Sequence, residues 1–164
     1  SKRTLYRLCD PFLAFWYRFV EPNRSRLAAG QLAEVAREVQ ELWPQFLGGA
    51  WEQMARDSVA RLVIGKRRWR PATRWWGSAS DRQAIELDVV AEDVDDRTNV
   101  LVGEAKLAAT AGEVKGIVER LARDAARCPE LAGRRVTFAV WLLRGARRLA
   151  GVEVITAEDV VGRI

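Results

Sequence analysis

No histidine occurs anywhere in the 164 residues. That absence excludes Ser-His-Asp and Cys-His catalysis, histidine-ligated zinc and every histidine-based nuclease motif. Chemistry must then come from carboxylates, lysine, hydroxyls or an added metal. Cysteine is nearly absent too. Cys9 and Cys128 lie far apart without CxxC spacing, so both read as buried thiols in a reducing compartment, not as a disulfide or zinc site. No apolar run reaches the length of a membrane span, and the opening SKRTLYRL is no signal peptide, so a cytoplasmic protein with no membrane partner is expected. There is no GxxxxGK(S/T) segment to cradle nucleotide phosphates, hence no nucleotide site in this chain. Internal repeats and low-complexity tracts are also missing.

What is present belongs to a globular chain: 49% of residues are hydrophobic and 30% charged. Net charge is +5, and arginine dominates the cations. An arginine-rich surface suits phosphate backbones, although basic proteins without a nucleic-acid role are common.

Along the chain, Tyr6 to Cys9 reads as a short extended lead-in. Asp10-Pro11 is a helix start, a carboxylate N-cap followed by proline at the first helical position. Phe12, Phe15, Trp16 and Phe19 form an aromatic stripe expected to pack in the core, and Glu21 to Ser25 should break the helix. A second helix is expected from Gly30 to Trp43, ended by Pro44. A third should run from Ala50 to Ile64 after a Gly48-Gly49 hinge, burying Trp51, Met54, Ala55, Ser58 and Leu62. Glu52 lies in its first turn, where the helix dipole favours an acid.

Lys66 to Trp76, KRRWRPATRWW, combines cations with tryptophans. It reads either as phosphate contacts with aromatic support or as a solvated basic turn whose Trp75 or Trp76 turns inward. Gly77 to Arg82 is a polar loop. Gly112 to Arg127 is an amphipathic helix, and Val136 to Leu143 has the all-apolar pattern of an interior strand. Val152 to Ile155 is a last short strand, and Thr156 with Asp159 caps a terminal helical turn.

The centre of the chain is Ala84 to Leu107. Two alternating runs, Ala84–Ala91 and Asn99–Leu107, flank a polar segment and predict a hairpin. Strict alternation puts Ile85, Leu87 and Val89 on one face and Glu86, Asp88 and Val90 on the other. Asp88, Glu104 and Lys106 then emerge on one side of the sheet. Two carboxylates and an ammonium among apolar neighbours are costly unless they pair or hold a metal.

The order Glu52 on a helix, Asp88 on a strand and Glu104-Ala105-Lys106 on the next strand resembles the PD-(D/E)xK nuclease superfamily, with Leu87 standing where that motif has proline. DPFLAFWYRFVEPNRS, GGAWEQMAR, RWWG, IELDVVA and LVGEAK, in this order, resemble the DUF234 family, the C-terminal part of archaeal and bacterial AAA-type ATPases. The resemblance implies an α/β (α+β) restriction-endonuclease-like αβββαβ core with a mixed sheet, spanning residues 48–164. An N-terminal helical segment, residues 1–47, would pack on it. It implies Mg²⁺ or Mn²⁺ held by Asp88 and Glu104, with Glu52 as a further ligand or positioning a metal-bound water, and with Lys106 orienting the attacking water or stabilising charge. Glu86 would be a supporting acid. Lys66, Arg67, Arg68, Arg70 and Arg74 would hold the DNA backbone. The expected partners are DNA, an ATPase module N-terminal to a domain cut from a longer protein, and a further copy of the chain. The alternative is a nuclease-fold DNA-binding or ATPase-regulating module without catalysis, its charged trio a structural salt bridge.

Overall fold

Asp10 opens the first helix as its position requires: Oδ1 accepts the Leu13 amide at 2.8 Å, and Pro11 takes the first helical position. The computed structural model describes residues 8, 10–79, 81–145 and 149–162. All of the Tyr6–Cys9 lead-in except Leu8, Cys9 included, therefore lies outside the described residues. Helix α1 (Pro11–Phe15) runs into a π-helical turn, Trp16–Val20, and then a 3-10 turn, Glu21–Asn23. Where a break was expected, the chain tightens at Pro22 and re-enters a helix, α2 (Arg24–Ala28). Core packing holds for part of the aromatic stripe. Phe19 is buried against Phe15 and Phe46, with ring centroids 5.2 and 5.3 Å away, whereas Phe12 is exposed.

The expected second and third helices are one. Helix α3 (Leu32–Ser58) is 27 residues long, with Pro44 inside it. Proline removes a single helical hydrogen bond and keeps a helical φ. The turns flanking it are held by Trp43 and Phe46, stacked 5.5 Å apart, with Phe15 edge-on to both. The helix also stops at Ser58 and not at Ile64, because a 3-10 turn, Val59–Arg61, precedes a strand. Nothing lies within 4 Å of where a Cβ on Gly48 would sit. Gly48→Ala should therefore stabilise the protein by about 0.5–1 kcal/mol in urea unfolding; destabilisation would mean that the freedom of glycine is needed there.

The chain divides into two compact units, residues 1–50 and 51–164. In the second, strands β1 (Val63–Ile64) and β2 (Arg67–Arg68) form a small hairpin. Its turn residues, Gly65 and Lys66, both have positive φ, at 59° and 62°, as a two-residue hairpin loop requires. Trp69 follows and is fully buried, its Nε1 donating to the Ile64 carbonyl at 3.0 Å. The basic segment thus fills the core mainly with Trp69. Trp75 packs partway in, and Trp76 is exposed.

A five-stranded mixed sheet carries the rest, in the order β3 (Thr73–Ser78), β4 (Ala84–Glu92), β5 (Asn99–Ala109), β6 (Arg135–Gly145), β7 (Glu153–Thr156). The first three strands are antiparallel and the last three parallel. The polar loop after Trp76 is shorter than expected, since Gly77 and Ser78 pair with Ile85 and Ala84. Helix α4 (Ala111–Arg127) connects β5 to β6 and starts from a capping box in which Thr110 and Glu113 bond reciprocally. Thr156 and Asp159 form the same device at α5 (Ala157–Val161). Trp51, Ala55 and Val59 cover one face of the sheet, through Leu101, Ala139 and Trp141. Leu121 and Ala125 of α4 cover the other, through Leu87, Val100 and Val102. The architecture is the expected αβββαβ order with a mixed sheet, extended by the β1–β2 hairpin and β7.

Candidate functional site

The site begins with a bulge in β4. Thr73 pairs with Val90 and Trp75 with Leu87, so two steps along β3 oppose three along β4. The extra residue falls at Asp88–Val89. It overturns the strict alternation expected there: Ile85 and Leu87 pack toward α4, while Val89 and Ala91 pack toward Trp51 and Ala55. The β4–β5 ladder runs from Glu92↔Val100 to Val89↔Gly103, and beyond it the strands fork. Asp88 sits in that fork. Its Oδ2 accepts the Ala105 amide at 3.2 Å, a side chain taking the place of a ladder carbonyl.

Glu104 is 6% exposed on the α4 face of β5. Its Oε1 accepts from Lys106 Nζ at 2.7 Å and from Arg120 of α4 at 2.6 Å. Burial alone would raise the Glu104 carboxyl; the hydrogen bonds from Arg120 and Lys106 outweigh it and hold the group below its ordinary value. Asp88 goes the other way. Burial pushes it up, and the negative charges of Glu104 and Glu52 add to that, against the Ala105 amide and Lys106. The structure therefore brings Asp88, Glu104, Lys106 and Glu52 into one electrostatic cluster. It adds two arginines that sequence reasoning missed. Arg120 is one. The other is Arg56, buried on α3, whose guanidinium donates to the Asp88 carbonyl at 3.0 Å and to Gln53 at 3.1 Å. Arg56 stands four residues after Glu52, on the same helix face, and that spacing was the available clue.

The other expected site residues are placed elsewhere. Glu86 pairs with Arg74. Arg67 pairs with Asp93 at 2.7 Å, and Arg68 lies 3.9 Å from Asp95. Lys66 and Arg70 are exposed. Arg70 also borders a cleft of about 310 Å³ lined by Trp75, Leu87, Val90, Cys128 and Leu131. Cys128 itself is a buried free thiol, raised mainly by burial.

Asp93 has a structural task. Its Oδ1 accepts the Asp95 and Asp96 amides at 2.8 and 3.3 Å, shaping the β4–β5 turn. Those bonds, the Asp95 amide first and then Arg67, hold its carboxyl below the usual range. A depressed folded-state pKa contributes stability that is present above the unfolded value, about 3.9, and is lost as pH falls through the folded value. Asp93→Asn should therefore flatten the loss of stability in urea unfolding below about pH 4. An unchanged acid limb would mean that other carboxylates set it.

A hard divalent cation needs oxygen ligands, and the carboxylates are the side chains of this site that supply them. Among the described residues no group of three or more Asp, Glu or Cys side chains converges to hold a metal ion. Two carboxylates, Asp88 and Glu104, remain, and each spends one oxygen on the contacts above. Mg²⁺ is commonly bound through one or two carboxylates, with water and substrate phosphate completing its shell. Like-charge crowding between Asp88, Glu104 and Glu52 is what such an ion relieves. The pair fits.

No helix among the described residues is long and apolar enough to cross a membrane. No solved structure matches the chain. An uncharacterized protein of Methanocaldococcus jannaschii is 26% identical over 105 residues, which cover 62% of this chain and 22% of that protein. The chain thus matches less than a quarter of that relative's length. Residues 16–117 match DUF234, described as archaeal and bacterial proteins of unknown function. That match takes in α3, the bulge and fork of β4 and β5, and the Glu104–Lys106 segment, and the chain belongs to the DUF234 family.

Proposed function

We propose that residues 51–164 form a metal-dependent nuclease domain of PD-(D/E)xK type that hydrolyses phosphodiester bonds in DNA. The observation that carries this reading is the Asp88 carboxylate held in the sheet fork beside the Glu104–Lys106 pair. Asp88 and Glu104 would hold Mg²⁺ or Mn²⁺, which lowers the pKa of a coordinated water and offsets charge on the phosphate. Lys106 is 45% exposed and carries three N–H donors, so it can bond water or a developing oxyanion as well as Glu104. Glu52 would steer water through its proximity to Asp88. Lys66 and Arg70 would contact the DNA backbone without reading sequence. Arg67, Arg68 and Arg74 contribute less, because their charge is spent on Asp93, Asp95 and Glu86. The resemblance to ATPase C-terminal domains supports an AAA-type ATPase module as the cytoplasmic partner.

Supercoiled plasmid and branched DNA should be cut in Mg²⁺ or Mn²⁺ and spared in a chelator. Absence of cutting on both, with salt-sensitive DNA binding retained, would sink the enzymatic reading. One observation favours the second reading, an inactive DNA-binding or ATPase-regulating module: Glu104 Oε1 already carries two cations, as in a structural salt bridge. Calorimetric titration with Mn²⁺ separates the two, since a structural ion pair has no reason to bind the ion.

A further inference from the structure

We infer that Arg120 is a phosphate-binding residue of this site, released from Glu104 when a cation binds, so that metal and nucleic acid bind cooperatively. The inference rests on the nuclease reading above. It starts from a charge count. Lys106 alone neutralises Glu104, yet Arg120 shares the same oxygen, so two like charges are held together by one carboxylate. The negative charges of Glu104 and Glu52 crowd Asp88, and Lys106 and Arg120 are the cations held on Glu104. A divalent cation arriving on Glu104 competes for the oxygen they share and repels both. A phosphate of the substrate offers the displaced guanidinium a new anionic partner.

Arg120 is the cation placed to move. Its side chain is 41% exposed on the flank of α4. Gly116, one turn earlier on that flank, has no side chain and nothing within 4 Å of where a Cβ would sit, so that turn of the helix does not crowd the arginine. Arg56, by contrast, is buried and fixed to the Asp88 carbonyl. A guanidinium presents a planar fork that matches phosphate oxygens in pairs. Leaving Glu104 for a phosphate therefore exchanges one charge-assisted contact for another of the same kind.

The test is Mn²⁺ binding, counted by electron paramagnetic resonance, for the full chain and Arg120→Gln, each with and without a short phosphorothioate duplex that resists turnover. In the wild type the duplex should tighten Mn²⁺ binding by about tenfold. In Arg120→Gln, Mn²⁺ alone should bind about tenfold tighter than to the wild type, and the duplex should add less than about twofold. A merely structural Arg120 predicts the opposite sign, weaker Mn²⁺ binding as the site loosens. A wild type that binds Mn²⁺ beside a folded Arg120→Gln that binds it no tighter overturns this inference alone; a wild type that takes up no Mn²⁺ overturns the nuclease reading with it. Arg120→Lys, which keeps a cation and the helix, covers the case of an unfolded glutamine variant. It should retain wild-type Mn²⁺ affinity and lose most of the duplex effect, and an undiminished duplex effect overturns the inference.

Discussion

Lys106→Ala is expected to lower metal-dependent DNA cleavage by about 10²–10³-fold, with Mn²⁺ binding retained. The side chain reaches Glu104 Oε1 at 2.7 Å from the same face of β5, which places its ammonium beside the proposed metal carboxylates. There it would contribute charge and hydrogen bonds at the reacting phosphate and would take no part in holding the ion. Removing it should even ease metal binding slightly, because one competitor for Glu104 is gone. The fold should tolerate the change. Arg120 remains on Glu104 at 2.6 Å, so the buried carboxylate keeps a charged partner, and loss of the half-exposed ammonium should cost about 1 kcal/mol. Plasmid cleavage, Mn²⁺ titration and urea unfolding of one preparation thus give three separate readouts. Undiminished cleavage would locate the hydrolysis elsewhere, in a contaminant or another site. A large loss of stability with no cleavage in either protein would mark the trio as structural.

How much of this was legible in the letters depends on what each feature rests on. Alternation and apolar runs gave the hairpin, the interior strand β6 and the helix between them, because burial writes those patterns directly into sequence. The ExK segment and Asp88 stood out as a candidate site because charged residues on an apolar strand need a reason. The bulge was not, since Val89 and Val90 are both apolar and the change of face at Asp88 leaves no gap in the pattern. Two adjacent valines in an otherwise alternating strand are its only trace. Pro44 and the Gly48-Gly49 pair suggested a helix end because local rules act alone in a sequence; in the fold, rings of Phe15, Trp43 and Phe46 hold the helix on both sides of the proline. Arg120 had no mark to distinguish it from the other arginines. Its place on Glu104 comes from α4 packing against β5, which is a fact of topology.

Gly103→Ala is expected to be strongly destabilising, costing roughly 3 kcal/mol. Gly103 pairs with Val89 at the last rung before the fork and with Ala139 on its other side. A Cβ there would overlap the Trp141 ring and sit 2.8 Å from the Ala139 carbonyl oxygen. Neither neighbour yields cheaply. Ala139 belongs to the parallel ladder, and Trp141 is fully buried, with its Nε1 donating to Ser58 at 3.0 Å and its carbonyl accepting from Trp51 at 3.3 Å. Trp141→Ala should itself cost about 3–5 kcal/mol, as the ring is lost and Ser58 gives up a partner. The double variant should be less destabilised than the sum of the two, because removal of the ring makes room for the new methyl. Additive losses in urea unfolding would show that the carbonyl contact, and not the ring, forbids a side chain at 103. Because Glu104 follows directly, Gly103→Ala should also weaken Mn²⁺ binding. Position 103 then links the packing of Trp141 to the spacing of the two carboxylates across the fork.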